Sequence, residues 1–255
     1  MSAEINRKTA THNTKHNPQV LKHPVLQEIL AVLRDKQTSS PQFRSALRRA
    51  GYHQTYEIIG RECSLETTRV KTVFRRTEGY RIREKMLQIM VMRAGQPYAE
   101  GGAVLLDELE MKRAVGVIDA RREEQEHSIK FDFSIDLGSI KVPKFDRNTI
   151  VIIYDPMLAS GSTLKKILER IKSRGRPKRI IICSIISAKY GIHELLKSHP
   201  DVRIYTLAVD DAAGTRGGLN DEGFIVPGLG DAGDRAFGEY NRMNPPCGKN
   251  KNHHD

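Results

Sequence analysis

The 255-residue chain has few cysteines and no hydrophobic run long enough to cross a membrane. Its cysteines, Cys63, Cys183 and Cys247, are too few and too widely spaced to build a disulfide framework or a zinc site. The longest apolar stretch, near residues 180–188, is about half the length that a membrane-spanning helix requires. The N-terminus also lacks the apolar segment of a secretory signal. These absences predict a cytoplasmic protein without a membrane partner.

Positive charge is in excess, with 42 lysines and arginines against 31 acidic residues and a formal net charge of +11. Such a charge favours anionic partners, either nucleic acid or a phosphorylated small molecule. The basic residues are spread widely, and no aromatic-interleaved platform, zinc-finger spacing or RNP-type string accompanies them. This distribution argues against nucleic-acid binding as the main function.

Short β-branched apolar runs alternate with segments of helical spacing along most of the chain. Strands are predicted near residues 86–92, 114–118, 150–154, 179–187 and 202–209. Because helical segments separate these strands, we expect an α/β fold, with a mostly parallel sheet and helices on both faces. We divide the chain into a disordered N-terminal arm (residues 1–20), one domain (21–238) and a disordered C-terminal tail (239–255).

Two helices are predicted before this alternation begins. The first starts at residue 23, and the second opens with Ser40 and Pro41. Gly51 is expected to end or loosen the second helix. Residues 67–77 are predicted to form a single strand. Later in the chain, an alternating apolar pattern indicates one arm of a β-hairpin and comprises Ile129, Phe131, Phe133 and Ile135.

A turn of small and hydroxylated residues joins the strand at 150–154 to a helix. The helix is indicated by apolar residues at i, i+3, i+4 and i+7, namely Leu164, Ile167, Leu168 and Ile171. Residues 160–163 place hydroxyls and main-chain N–H groups at the helix N-terminus, where the helix dipole attracts anions. The turn alone is equally typical of an ordinary β–α connection capped by a serine or threonine.

The residues around this turn are more specific than the turn itself. They form the string Asp155-Pro156-Met157-Leu158-Ala159-Ser160-Gly161, which resembles the phosphoribosyl pyrophosphate (PRPP) motif of uracil phosphoribosyltransferases, D-P-M-L-A-T-G. A second string, residues 223–235, resembles the uracil-binding hood of the same family. The likeness covers about residues 23–238. It implies a type I phosphoribosyltransferase-like fold with a β-hairpin flap and a C-terminal hood.

The same resemblance implies a glycosyltransferase that moves the 5-phosphoribosyl group from PRPP to uracil. The products would be UMP and pyrophosphate, in pyrimidine salvage. Such a reaction passes through an oxocarbenium-like ribose, so positioning and electrostatics should matter more than acid–base groups.

The resemblance assigns the PRPP site to the residues that follow the strand at 150–154. The 5′-phosphate would be held by Ala159, Ser160, Gly161, Ser162 and Thr163, and the same loop includes Pro156, Met157 and Leu158. Asp155 would hold the ribose hydroxyls. Many phosphoribosyltransferases carry two adjacent acids here, whereas this chain has one. Mg²⁺ would therefore be held mainly by PRPP and by water.

Arginines are expected to bind the pyrophosphate. Arg93 follows the strand at 86–92 in a string similar to the family's pyrophosphate loop, and its fork of donors suits phosphate oxygens. The family places a second arginine at the start of the flap. Alignment on the acids that follow selects Arg121, whereas alignment on Gly116 selects Arg122. The sequence does not choose between Arg121 and Arg122 for this role.

The hood would recognise uracil through main-chain groups. The resemblance assigns this role to Ile225, Gly230 and Ala232, and it places Asp231 against the base and PRPP. A site that pairs the polar edge of uracil should reject bases that lack this edge.

Catalytic roles fall, by the same resemblance, to Asp155, Arg93 and Asp231. The strings at 184–191 and 234–238 look most like archaeal members, which implies GTP as an activator and a homo-oligomer, either a dimer or a tetramer. The alternative is an RNA-binding pyrimidine regulator on the same fold, with lost or vestigial catalysis. The basic charge is compatible with it, but a pure binder has no need of the complete site. An enzyme that uses another base is the third reading.

Overall fold

The computed structural model describes residues 17–122 and 135–238. Its strands are β1 (Gln19–Val20), β2 (Leu65–Lys71), β3 (Arg76–Ile82), β4 (Lys85–Met92), β5 (Arg113–Arg122), β6 (Ile135–Lys141), β7 (Thr149–Tyr154), β8 (Met157–Leu158), β9 (Arg179–Cys183), β10 (Ile186–Ala188), β11 (Arg203–Thr206) and β12 (Ala208–Asp210). Its helices are α1 (Pro24–Arg34), α2 (Ser40–Glu62), α3 (Gly95–Glu108), α4 (Ser162–Lys172), α5 (Lys189–Ser198) and α6 (Ala232–Phe237). Within these described ranges, no helix combines the length and the apolar character of a membrane span.

A seven-stranded sheet forms the centre of the fold, in the order β1-β11-β9-β7-β4-β5-β6. Each neighbouring pair in it is parallel except β5 and β6, which are antiparallel. Two smaller sheets, β12-β10-β8 and β2-β3, accompany it. The predicted α/β fold with a mostly parallel sheet is confirmed.

The central strand β7 is buried on both faces, as its β-branched sequence predicts. Ile152 and Tyr154 pack in a hydrophobic cluster with residues of α1, α2 and α3. Val151 and Ile153 point the other way, into a second cluster with residues of α4 and α5. Helices therefore cover both faces of the sheet. The loops that follow the strands are left to form a site at the sheet's edge.

α2 runs without interruption from Ser40 to Glu62, so the expectation that Gly51 ends or loosens it is wrong. Gly51 instead marks a close approach between α2 and α3. A Cβ atom on Gly51 would lie 1.9 Å from the carbonyl oxygen of Tyr98. The reverse contact is as tight, since a Cβ on Gly101 would lie 1.8 Å from the carbonyl oxygen of Arg48. The glycine is needed for packing.

β2 and β3 form a hairpin in place of the single strand predicted for residues 67–77. The two strands pair antiparallel, and Lys71 lies opposite Arg76 across the turn. The prediction is wrong because most positions on both strands are exposed, so no alternation of buried residues marks the turn. Val73 and Phe74 at the tip are 94% and 95% exposed.

The end of the predicted N-terminal arm is attached to the sheet. β1 pairs with β11, and the Asn17 side chain donates to the Val202 carbonyl and accepts from the Ile204 N–H, at 3.0 and 3.1 Å. The prediction of disorder through residue 20 is therefore wrong for residues 17–20. The sequence pattern did not indicate this strand because β1 has only two residues.

The stem of the predicted flap is present as β5 and β6, whose last pair is Arg122 with Ile135. The other residues of the predicted hairpin arm, Ile129, Phe131 and Phe133, lie outside the described residues. Residues 1–16 and the predicted tail at 239–255 also lie outside them.

The contact between α2 and α3 yields a matched pair of glycine variants. Gly51→Ala should lower the free energy of unfolding by about 2–3 kcal/mol, because the added methyl group cannot fit against the Tyr98 carbonyl. Gly60→Ala, on the same helix, meets nothing within 4 Å and should raise it by about 0.5–1 kcal/mol through helix propensity. Urea denaturation measures both. Equal effects of the two variants would contradict the packing argument.

Candidate active site

A cleft of about 320 Å³ lies where β4, β5 and β7 end, between the loop after β7 and the C-terminal hood. The predicted site residues that line it are Arg93, Asp155, Pro156, Met157, Ala159, Thr163, Ile225, Asp231 and Ala232. Leu158, Ser160 and Gly161 line a small adjoining cavity. Ser162 and Gly230 line neither, although Ser162 is the first residue of α4. The structure thus brings together most of the residues that the two sequence strings predicted.

The two flap arginines lie at the end of β5. Ala120, just before them, lines the cleft. The main chains of Arg121 and Arg122 pair with Asp136 and Ile135 of β6. Their side chains lie outside what the structure describes, so the choice between them stays open.

The loop after β7 turns into α4 through Gly161, whose φ of +83° is a left-handed conformation that favours glycine. Ser160 Oγ lies 3.1 Å from Ser162 Oγ and accepts the Ser162 N–H at 3.4 Å. The first helical hydrogen bond runs from the Lys165 N–H to the Gly161 carbonyl. Ser160 and Thr163 line the small cavity, and Ser162 begins α4 between them. Hydroxyls and the main-chain N–H groups of a helix N-terminus thus lie together, which is an arrangement that binds a phosphate.

α5 supports this loop from behind, which sequence reasoning missed. A Cβ atom on Gly191 would lie 1.9 Å from the Ala159 carbonyl oxygen. The approach at Gly161 is less close, since its Cβ would lie 3.2 Å from the Gly191 carbonyl oxygen. The loop can occupy this position only because residue 191 has no side chain.

Asp155 occupies the position directly after the buried strand β7. Its N–H donates to the Cys183 carbonyl at 3.1 Å, and its Oδ1 accepts the Met157 N–H at 3.3 Å. It is half-buried and lines both the cleft and the small cavity. A carboxylate held at the junction of the two spaces can bind hydroxyls on a ligand that extends from one to the other.

Arg93 and Asp231 lie close together in the cleft, since a Cβ atom on Gly233 would be 3.3 Å from Arg93 Nη2 and 3.1 Å from Asp231 Oδ1. Asp231 is the N-cap of α6, and its Oδ1 accepts the Asp234 N–H at 2.8 Å. Arg93 Nη2 donates to Asp234 Oδ1 at 2.6 Å. Asp234 was not among the predicted site residues. Its position three residues after a helix N-cap was the signal that could have placed it in the first turn of α6.

Arg235 fixes the hood to the N-terminal helical pair. Its guanidinium donates to the carbonyls of Leu33, Asp35 and Leu229, the last at 2.8 Å. It also lies 4.3 Å from the ring centroid of Phe43, within the range of a cation–π contact. The hood is therefore docked on α1 and α2, which the sequence had indicated only as a packed helical pair.

A second clamp holds the middle of the hood. Asp210, 5% exposed, accepts two hydrogen bonds from Arg34, at 2.6 and 2.9 Å. The same carboxylate accepts the Gly228 N–H at 2.9 Å, and Arg34 donates to the Gly228 carbonyl at 2.8 Å. Both main-chain groups of Gly228 are thus bound by one buried ion pair.

Polar side chains are also buried beneath the cleft, beside the thiol of Cys183. Tyr98 Oη lies 3.0 Å from Cys183 Sγ, and Tyr154 Oη lies 2.8 Å from Thr55 Oγ1. Burial raises the pKa of Cys183 to about 12. Burial also raises the pKa of Tyr154, so these groups are neutral at physiological pH. They act as a support for β7 and not as nucleophiles.

The carboxylates of the cleft do not form a metal cage. Across residues 17–122 and 135–238, no group of three or more His, Cys, Asp or Glu side chains could hold a metal ion. Asp155 and Asp231 both line the cleft and can offer oxygen atoms to it. This donor set suits an ion that arrives with its own oxygen ligands.

The fold and the cleft together define a type I phosphoribosyltransferase, with a phosphate loop after a central parallel strand and a separate hood over it. The AQ2163 protein from Aquifex aeolicus has a similar structure, with a TM-score of 0.73 and 28% identity over 86% of this chain and 97% of that chain. The family model for uracil phosphoribosyltransferase matches residues 20–239. The chain belongs to the uracil phosphoribosyltransferase family.

Curated relatives agree with this assignment. The uracil phosphoribosyltransferase of Pyrococcus furiosus is 38% identical over 85% of this chain and 87% of its own length. That of Methanococcus vannielii is 39% identical over the same shares of the two chains. The predicted likeness to archaeal members is confirmed.

The buried clamp on Gly228 yields a second matched pair of variants. Asp210→Asn should lower the free energy of unfolding by about 1–3 kcal/mol, because it leaves the half-buried Arg34 without its charged partner. It should also speed hydrogen exchange of the Gly228 amide. Asp211→Asn removes the neighbouring, exposed ion pair with Lys189 and should change neither measurement. Similar effects at both positions would contradict the clamp.

Proposed function

We propose that this protein transfers the 5-phosphoribosyl group of PRPP to uracil, giving UMP and pyrophosphate. The observation that carries the proposal is the meeting of three parts in one cleft. These are the phosphate loop with Asp155, the arginine that follows β4, and the hood. A protein that only bound RNA would have no need of all three. The two substrates, a sugar phosphate and a free nucleobase, are soluble small molecules, which fits the predicted cytoplasmic location.

The phosphate loop and Asp155 would hold the ribose 5-phosphate half of PRPP. The 5′-phosphate binds the N–H groups and hydroxyls at the start of α4, and Asp155 accepts hydrogen bonds from the ribose hydroxyls. In the reaction the bond from ribose C1 to the pyrophosphate oxygen breaks, uracil N1 forms the new bond to C1, and the N1 proton passes to the released pyrophosphate or to solvent. Fixing the sugar between its two partners lowers the barrier by orienting them in advance.

Arg93, with Arg121 or Arg122, would stabilise the departing pyrophosphate. Positively charged donors that already face the pyrophosphate stabilise the negative charge that develops on it in the transition state, and they need no reorientation to do so. The position of Ala120 in the cleft wall supports a role for the residues that follow it on β5.

The hood would bind uracil through the main chain of Ile225, Gly230 and Ala232, with Asp231 facing the base and PRPP. Ile225 and Ala232 are buried and line the cleft, which supports their part in this proposal. A site of main-chain donors and acceptors would discriminate strongly against cytosine, whose polar edge differs.

Mg²⁺ would enter with PRPP, and oxygen atoms of Asp155 and Asp231 would hold its water ligands. When bound, the ion neutralises charge on the pyrophosphate. GTP would act as an activator, which the likeness of residues 184–191 and 234–238 to archaeal members supports.

The test is a nucleobase panel with the full-length protein, PRPP, Mg²⁺ and labelled base, with product identified by chromatography. We expect UMP from uracil, no product from cytosine or purines, and loss of activity on chelation of Mg²⁺. Asp155→Asn retains an acceptor for the Met157 N–H and should fold normally, while turnover falls at least about a hundredfold. An arm with added GTP measures activation. Absence of product with every base would refute the function, and near-normal activity of the variant would refute the ribose role.

We also propose that copies of the chain associate through the β2–β3 hairpin. The hairpin carries large apolar residues that are exposed over more than half of their surface, namely Leu65, Val73, Phe74 and Tyr80. Exposed apolar groups of this size are typical of protein contacts. A second copy is the occupant that fits the homo-oligomer implied by the family.

A double substitution at the hairpin tip tests this association. Val73→Asp with Phe74→Asp should shift the protein to a smaller species in sedimentation velocity, because the charges cannot be buried in a contact. Val104→Asp, at an exposed apolar position on α3, is the control and should leave the species unchanged. A wild-type monomer at micromolar concentration, or an unchanged oligomer in the double variant, would contradict the proposal.

A further inference from the structure

Asp234 contacts two cleft residues through different parts of its structure. Its side chain accepts Arg93 Nη2 at 2.6 Å, whereas its main-chain N–H donates to Asp231 Oδ1 at 2.8 Å. Truncation of the side chain would therefore remove the contact with Arg93 and leave the cap of α6 in place. The two contacts can be tested separately.

Gly233 provides the space for this arrangement. A Cβ atom on Gly233 would lie 3.3 Å from Arg93 Nη2, 3.6 Å from Arg93 Nε and 3.1 Å from Asp231 Oδ1. The edge of the guanidinium that carries Nε and Nη2 thus faces the hood. Arginine has five N–H donors in a rigid fork, so donors on the far side of this edge point away from α6.

The contact between Arg93 and Asp234 is too exposed to add much to folding. The two side chains are 43% and 37% exposed, and ion pairs of this kind contribute little to stability. The contact instead fixes the orientation of the Arg93 side chain. A long arginine side chain that is already held in one rotamer loses less entropy when a ligand binds.

We propose that Asp234 is a positioning residue for Arg93, holding its guanidinium toward the pyrophosphate of PRPP. The inference depends on the proposed function, since it concerns the same cleft. It makes the hood part of the pyrophosphate site, because the residue that orients Arg93 belongs to α6. The negative charge of Asp234 opposes pyrophosphate binding, but solvent screens it at this exposure.

The test compares Asp234→Ala with Asp234→Asn. The alanine variant should raise KM for PRPP and Kd for pyrophosphate about fivefold, which is the cost of ordering one free side chain. KM for uracil should change by less than about twofold, because the cap on Asp231 uses the main-chain N–H. The asparagine variant retains an acceptor oxygen without the charge, and it should stay near the wild type for both substrates.

Two further variants show whether the effect passes through Arg93. In an Arg93→Met background, which has no donor for the Asp234 carboxylate, Asp234→Ala should have almost no additional effect on pyrophosphate binding. Gly233→Ala should weaken pyrophosphate binding although alanine favours the helix, so that affinity falls while the melting temperature stays or rises. A merely structural role would lower both together.

Asp201→Asn is the matched control, since it removes another surface ion pair, with Lys172 at 2.5 Å. Asp201 lies just before β11 and does not line the cleft. The variant should leave every constant unchanged. The inference is wrong if Asp234→Ala leaves PRPP and pyrophosphate binding unchanged, and also wrong if it tightens them, because the carboxylate would then compete with the ligand. An inactive wild type that binds no PRPP refutes the proposed function, whereas an active wild type with unaffected Asp234 variants refutes only this inference.

Discussion

The site depends on the parallel pairing of β4 with β7. Met90 lies opposite Tyr154 in that pair, so the chain leaves both strands at the same edge of the sheet. Asp155 follows one strand directly, and Arg93 lies just beyond the end of the other. The hydrogen bonds of the ladder thus place a carboxylate and a guanidinium on one cleft.

The other wall of the cleft has a different physical origin. The hood contributes no strand to the central sheet, and arginine contacts hold it against α1 and α2. The contact of Arg93 with Asp234 then joins the hood to the edge of the sheet. One wall is therefore fixed by a buried ladder. The other is fixed by arginine contacts, of which the Arg34–Asp210 pair is largely buried and the Arg93–Asp234 pair is exposed.

The sequence predicted the parts of the fold and the site that are local. β7, the phosphate turn and the hood string could be recognised because their residues are adjacent in the chain. The role of Gly191 could not, because its partner is a carbonyl on another element. The exposed β2–β3 hairpin was mistaken for one strand for the opposite reason, since it buries too little to leave a pattern. The place of Asp234 in the site was not predicted because its partner, Arg93, is distant in the chain.

The Arg235 contacts have an evolutionary consequence. Three of its partners are main-chain carbonyls, which every residue type supplies. The exposed side chain of Asp35 can therefore drift among homologues without releasing the hood. Phe43, which stacks on the guanidinium and is fully buried, has no such freedom. Homologues should thus retain the arginine and its aromatic partner, while the residues at the end of α1 vary.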